Sequence, residues 1–579
     1  MSQRSNTYLN PPEPSRKALS FSNAKPRSIE QWVEQLPKVN HTETSRKLFG
    51  ALREINQLKI SPADKLELLD ILAPEIEYAA DGLFRKYLER PFALDELERK
   101  VLSLTHGLAT ELGTGYKGVA FAATSGWGLG RKEITSRALH HCICAILPNL
   151  RRMFSLYLPA PKGFWLELHG LYQHGLKEGN AEHKHDWLGE STTLAQSYKA
   201  ALLFSIAQPF QLQRHELEPL YRACLSWSSF SKLEKASQGG IYVVDLSQDY
   251  GPAYLTPQTT LHAGSMSLHT DKLVKALQKP ETLPDVRGVT DRLREHLSLA
   301  WDRAQPRRFR RKPSEGQVSV TLGLSAVHSQ LCHGKSFDSF LTPYEGYLIE
   351  QGSREDRFQA RDTMETIRSR DVWEYSFDAG DNRLPDIPAP EQEEAAAIEE
   401  EYIQVPEYPA AAINMSPRGF CLHWPEPAPE SLVMGEVISV KPENASHRTI
   451  GLLRWLRQYR GSGVRGGVEL LSPQAEACAA RILNKTGQHS SFLRAIVLPE
   501  IKAVAQPESV ILPRLRAQAG QKIMLYRRGK QQAYRLVRKI TETSAVGQFA
   551  ITLVGTAEAE KPSTQPGLDL QNDPLWRQF

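Results

Sequence analysis

Two hydrophobic periods divide the chain. From about Ser28 to Arg303, apolar residues recur every three or four positions, the spacing of a helix with one buried face. The clearest runs are KLELLDILAPEIEYAADGLFRKYL (65–88), ELHGLYQHGLKEG (167–179) and LAQSYKAALLFSIAQPFQL (194–212). Gly179-Asn180 stops the second run, and Ser191-Thr192-Thr193 offers capping hydroxyls ahead of the third. Helix pairs of this kind resemble repeat-type scaffolds, although no strict 34-residue period is present. GGIYVVDLS (239–247), rich in β-branched residues, reads as a strand within this stretch.

Beyond Arg303 the period falls to two. QVSVTLGLSAVH (317–328) places Val318, Val320, Leu322, Leu324 and Ala326 on one face of a half-buried strand. RGFCLHW (418–424), LVMGEVISVK (432–441), TIGLLRWLRQY (449–459) and RGGVELL (465–471) follow as short strands between turn residues, the pattern of a small antiparallel barrel. SPQAEACAARILNKTG (472–487) reads as a helix, capped by Ser472, opened by Pro473 and stopped by Gly487. The chain then returns to β pattern. The fold expected is multidomain α+β: a loose polar tail (1–28), an all-α helical domain (29–302), an antiparallel β-barrel (303–490) with a flexible insertion at 334–408, a small C-terminal β unit (495–556) and a loose end (557–579).

Composition narrows the class. A chain of 579 residues, 41% apolar and 24% charged, buries large cores without disulfides or metals as staples. Six cysteines without a tight framework fit a reducing compartment. The polar, Pro-rich N-terminus carries no secretory core, and no run of about 18 apolar residues exists, so a cytoplasmic protein without a membrane span is expected. The net charge of +5 is too small to name a partner, so only local charge informs.

That local charge is segregated. RAQPRRFRRK (303–312) holds six basic residues, Arg303, Arg307, Arg308, Arg310, Arg311 and Lys312, while seven acidic ones lie between Asp386 and Glu401. The planar guanidinium fork forms two parallel bonds to phosphate oxygens or to the O6/N7 edge of guanine. Farther along, Asn414-Met415-Ser416-Pro417-Arg418-Gly419 reads as a turn at a strand entry, with side chains able to bond local backbone or to face a ligand. An R-x-x-x-R run before the first barrel strand, followed by N-x-S-x-x-G at a later one, resembles the PilZ domain. Arg454-Trp455 in a late strand and Gly466-Gly467-Val468-Glu469-Leu470 resemble that family's closing strands.

The resemblance implies a six-stranded barrel that binds the bacterial second messenger cyclic di-GMP. Arg307 and Arg311 would grip phosphates and guanine edges, flanked by Arg308 and Arg310. Asn414, Ser416 and Gly419 would close over the other guanine. The protein would be a cytoplasmic receptor passing ligand binding from the barrel to a helical protein-interaction domain with an unidentified protein partner. By family analogy the output concerns type IV pili, motility or surface polysaccharide. The competing readings are a ligand-independent adaptor with a degenerate barrel, and an RNA or DNA binder using the basic hairpin at 514–539. The modest net charge weighs against nucleic acid.

Other motifs are weaker. Gly113-Thr114-Gly115-Tyr116-Lys117-Gly118 fits G-x-G-x-x-G but follows a helical pattern, where a dinucleotide loop needs a strand. His140-His141-Cys142-Ile143-Cys144 lacks zinc-ligand spacing, and His169, His174, His183 and His185 read as residues of a helical region. Arg357 and Arg361 form a second R-x-x-x-R inside the insertion, with no alternating strand after it. No nucleophile elbow, P-loop or metalloprotease motif occurs, so neither an enzyme, a metal nor a cofactor is expected.

Overall fold

The structure is a computed structural model. It describes residues 11–88, 96–125, 130–236, 241–256, 258–262, 264–302, 311–341, 402–443, 445–459, 462–483, 490–502, 506–514 and 517–554. The chain forms two compact units, one of residues 1–308 with 426–430 and 456–464, the other of the remainder.

The first unit is mainly helical, as its 3.6-residue period requires. Its helices are α1 (Pro26–Glu34), α2 (His41–Asn56), α3 (Pro62–Leu88), α4 (Glu96–Ser125), α5 (Arg131–Ser155) and α6 (Phe164–Lys177). A hairpin of β1 (Lys184–Trp187) and β2 (Glu190–Thr193) leads into α7 (Leu194–Ile206). Thr193 caps α7 through a reciprocal box with Gln196. After α8 (Arg214–Trp227), the strands β3 (Lys232–Lys235), β4 (Tyr242–Asp245), β5 (Ala253–Tyr254) and β6 (Ser265–His269) form a sheet in the order β3-β6-β4-β5. Helices α9 (Asp271–Leu277) and α10 (Asp291–Ala300) close the unit. The helical region thus carries two small sheets, one of them containing the strand expected at 239–247.

One expectation changes here. Residues 11–25 are not a loose tail: the Ser15 and Arg16 amides donate to the Gln57 carbonyl and Arg16 pairs with Glu54, so this segment covers the C-terminal end of α2. The G-x-G-x-x-G run lies inside α4, where its glycines permit close helix packing. A Cβ at Gly113 would meet the Ile146 methyl at 2.5 Å, and one at Gly115 would meet Asn56 and Leu69.

The helical core also buries charge. Arg151 and Arg152 of α5 are almost covered and both reach Asp81 of α3, at 2.5 and 2.9 Å. Burial alone would raise Asp81, but the two guanidiniums hold its carboxyl below the usual range. Burial holds several histidines of this unit neutral. Burial lowers His140 to about 3, and His169 and His296 to about 4.

The second unit holds two barrels. The first comprises β7 (Lys312–Pro313), β8 (Gln317–Leu322), β9 (Tyr408–Ser416), β10 (Gly419–Trp424), β11 (Val437–Pro442), β12 (Thr449–Tyr459) and β13 (Gly463–Ser472). Its order is β10-β13-β12-β11-β8-β9, closed by the β9–β10 pairing, with β7 added on β9. Helix α11 (Leu324–Leu331) follows β8. The strand expected over 317–328 therefore stops at Leu322. Gly323, at φ +90°, turns the chain, and Leu324, Val327, His328 and Leu331 continue at helical spacing.

The helix expected over 472–487 is instead β14 (Glu476–Leu483). It pairs with β15 (Leu493–Leu498) and β17 (Lys522–Arg527), which outweighs the helical preference of its alanines. With β16 (Ser509–Pro513), β18 (Lys530–Glu542) and β19 (Val546–Leu553) it closes a six-stranded barrel. The C-terminal β unit expected at 495–556 thus begins at Glu476. Its interior holds Cys478, Ala480, Val497, Val510, Ile523, Leu525, Leu536 and Phe549. The two barrels share a second core, in which Leu324 and Val327 of α11 pack with Val437, Ile450 and Leu452 on one side and Ile496, Leu498 and Ile511 on the other.

The flanks of the expected insertion are ordered parts of this unit. Phe337 and Leu341 pack on Ala479 and Tyr526, and Lys335 bridges to Tyr402. Residues 342–401, with the acidic stretch and the Arg357/Arg361 motif, lie outside the described residues, as does the end at 555–579.

Strand β10 lies so close to β13 that a Cβ on Gly419 would run into the Val468 carbonyl oxygen. The Leu470 amide donates to the Arg418 carbonyl at 3.0 Å beside it. Gly419→Ala is therefore expected to cost about 2 kcal/mol by prising this seam apart, read as a fall in the urea midpoint. The buried histidines set a pH dependence. Below about pH 6.5 the unfolded chain takes up protons that folded His140, His169 and His296 refuse, so stability is full above that pH and lost as pH falls towards 4. Each contributes up to about 1.4 kcal/mol per pH unit in this window. Melts at pH 7.5 and 5.0 should show the loss. His296→Gln, which keeps a donor for the Ala207 carbonyl, should flatten the slope.

Candidate functional site

The hairpin of β9 and β10 presents the Asn-Ser-Gly turn. Ser416 pairs with Gly419 across a two-residue loop of Pro417 and Arg418, and the Ser416 hydroxyl reaches the Gly419 carbonyl at 3.4 Å. A bulge between Cys421 and Leu422 then shifts the register, so that Asn414 opposes Cys421 while Ala412 opposes Leu422. Phe420, Leu422 and Trp424 alternate into the barrel. Cys421, His423 and Asn414 consequently share the outer face.

Asn414 is half-buried, and its Oδ1 has no hydrogen-bond partner among the described residues; the same holds for His423 Nδ1. A buried acceptor left unbonded costs about 1–3 kcal/mol, so such atoms call for an external donor. For Asn414 Oδ1, the N–H groups of a purine edge would serve.

The arginine segment meets this turn through β7. Lys312 pairs with Met415 and Pro313 with Asn414, and the Ser314 amide donates to the Ile413 carbonyl at 3.1 Å. Continued one step, this antiparallel register sets exposed Arg311 beside Ser416. Of the seven residues singled out in the sequence, Arg311, Asn414, Ser416 and Gly419 are thus gathered at the C-terminal end of β9, Arg311 on the edge that β7 pairs with and Gly419 on the β10 edge. Arg307, Arg308 and Arg310 lie outside the described residues.

The electrostatics bring in a residue that sequence reading missed. Burial pushes the Cys421 thiol up, against the pull of two nearby guanidiniums, those of Arg311 and Arg465. Arg465 lies on β13, the neighbour of β10, so cations approach the Asn414–Cys421 pair from both sides. The signal was in RGGVELL: strict alternation places Arg465, Gly467 and Glu469 on the face away from Val468 and Leu470. The Trp455 indole lies across Gly467, where a Cβ would collide with it. Arg454 donates to Glu469 at 2.7 Å and to Thr541 of the C-terminal barrel at 2.9 Å.

The remaining sequence motifs hold no ligand geometry. His141 bonds Asp70 at 2.8 Å, His169 bonds Tyr198 at 2.6 Å and His185 bonds Ser136 at 2.7 Å. Burial drives the thiols of Cys142 and Cys144 up. No cluster of metal-ligand type and no helix long and apolar enough to cross a membrane occurs among the described residues.

Comparison with known proteins identifies the family. Family models for the N-terminal domain, the middle PilZ domain and the C-terminal β-barrel domain of the cyclic-di-GMP receptor FimW match residues 27–237, 241–477 and 478–554. The cyclic-di-GMP receptor FimW of Pseudomonas aeruginosa is 30% identical over 596 aligned residues, which span 96% of each chain. No solved structure matches. The middle match spans the sequence of both the arginine segment and the Asn-Ser-Gly turn, and the likeness runs through the helical region and the second barrel as well. The chain therefore belongs to the FimW family of cyclic-di-GMP receptors.

Proposed function

We propose that this protein is itself a cyclic di-GMP receptor, taking its ligand on the outer face of the first barrel around β7, β9 and β10. The observation that carries this reading is the seating of Arg311 beside Ser416 while Asn414 Oδ1 lies buried without a donor. Cyclic di-GMP supplies the matching groups: two phosphates and the O6/N7 edges for guanidinium forks, and N1–H and N2–H₂ donors for an amide oxygen. Arg307 and Arg311 would grip phosphates and guanine edges, with Arg308 and Arg310 flanking them. Asn414 and Ser416 would bond the second guanine, and Arg465 would add charge from the β13 side.

Gly419 acts on this reading by letting β10 lie against β13, which holds the turn in place. The helical unit is the surface for an unidentified protein partner. The six cysteines are all unpaired, which supports a reducing, cytoplasmic setting for a receptor of an intracellular messenger. A ligand-independent adaptor has no use for an orphaned acceptor paired across the ladder with a cysteine that two guanidiniums approach, so the receptor reading is favoured.

Calorimetric titration of the full chain with cyclic di-GMP tests this. The intact protein should bind, and Arg311→Ala or Asn414→Ala should each weaken binding roughly 10- to 100-fold with the melting temperature unchanged. Absence of binding by the intact protein, or variants that bind as well as it does, would sink the reading.

A further inference from the structure

We propose that the outer face of β14, β17 and β18 in the C-terminal barrel, at the end around Arg481, Lys522 and Arg535 and away from the part covered by Phe337 and Leu341, docks on an anionic lipid bilayer. The barrel, residues 476–553, carries thirteen Lys and Arg against four Asp and Glu, a net +9 in a chain whose total is +5. The rest of the protein is therefore net acidic, and the excess of positive charge belongs to this domain.

The cations are concentrated by register. Lys522 of β17 lies directly opposite Arg535 of β18, an arrangement of like charges that is unfavourable in the absence of an anion. Arg481 of β14 pairs with Met524 of β17, which in turn opposes Ala533. A bulge between Leu536 and Arg538 pushes Val537 out of the ladder, leaving Val537 49% exposed beside exposed Arg538. Among the described residues no carboxylate pairs with Lys522, Arg535 or Arg538. Three of the four acidic groups of this barrel are engaged elsewhere, Glu476 with Arg528, Glu508 with Arg527 and Glu542 with Lys539, and the fourth, Glu500, follows β15 rather than lying on β14, β17 or β18.

The apolar side chains between the cations select the partner. Met524 and Leu483 are half-buried and Val537 projects, so the face alternates greasy and positive groups, as interfacial surfaces do. Nucleic acid suits it less well. Tyr526 and Tyr534, the aromatic residues interleaved with the charges in the sequence, are 5% and 3% exposed and offer bases no platform. A phosphate backbone would draw on the charges but not on Val537.

Co-sedimentation of the full chain with vesicles tests the proposal. Vesicles of phosphatidylcholine with about one third phosphatidylglycerol, a composition carrying the anionic charge the face requires, should retain the protein, and pure phosphatidylcholine should not. Raising the salt to about 0.5 M should release it. Arg535→Gln/Arg538→Gln should lower partitioning roughly 30-fold, whereas Lys132→Gln/Lys184→Gln, equal in charge change and exposed on the helical unit, should leave it unaltered. Val537→Ser should weaken binding without changing the salt slope, and thermal melts check that the variants are folded. The proposal is overturned by equal retention on neutral vesicles, by loss of partitioning in the control as large as in the barrel variant, or by binding to duplex DNA or RNA with none to anionic vesicles.

Discussion

Strand β9 is the constraint on which the proposed ligand face depends. It pairs with β8 to close the barrel, with β10 to form the Asn-Ser-Gly hairpin, and with β7 to hold the end of the arginine segment. Each pairing fixes something different. The β8 register, Gln317 opposite Ala411, decides which β9 side chains face the core. The β10 register, with its bulge, sets Asn414 against Cys421. The β7 register brings Arg311 alongside Ser416. Moving β9 by one residue would separate the guanidinium from the amide and put apolar side chains on the solvent face.

That strand arrives after a long excursion. Between Leu341 and Tyr402 the chain makes sixty residues of insertion, yet both ends are pinned: Phe337 and Leu341 on the second barrel, and Tyr402 against Lys335. Loop-closure entropy grows only with the logarithm of length, so pinned ends let an insertion of this size leave the barrel pairing intact. The separation of about a hundred residues between the two binding motifs is therefore no obstacle to their meeting.

Much of this was legible in the chain because local periods coincide with long-range needs. TIGLLRWLRQY spans β12 from end to end, the helical run at 65–88 lies within α3, and the run at 194–212 contains α7, which ends at Ile206. The failures are equally physical. EACAARIL contains good helix formers, but small side chains also suit a strand in a narrow barrel, and only its partners β15 and β17 decide the matter. In LSAVHSQL the positions of a helix and of a strand overlap at Leu324, so the break at Gly323 is visible only as a positive φ. Arg465 could be placed on a face by alternation, but its nearness to Cys421 depends on β13 lying beside β10, a closure that no local pattern encodes.

The two barrels divide the work of handling negative charge. On the proposed reading the first offers a compact site, where a few guanidiniums and one amide oxygen would meet a small dianion at a defined place. The second carries a sequence excess of nine positive charges, with Arg481, Lys522, Arg535 and Arg538 on its strands, which suits a partner with many diffuse charges. They are not independent bodies, because α11 lies in a core common to both and Arg454 joins Glu469 of β13 to Thr541 of β18. Glu469 is also adjacent to the Val468 carbonyl against which Gly419 rests. A ligand that tightened the Asn-Ser-Gly turn would load β13 at that point, and the Arg454 bridge and the α11 core are the contacts through which the load reaches the C-terminal barrel. Coupling of this kind requires only that the ligand favour one setting of a seam that is already packed without slack.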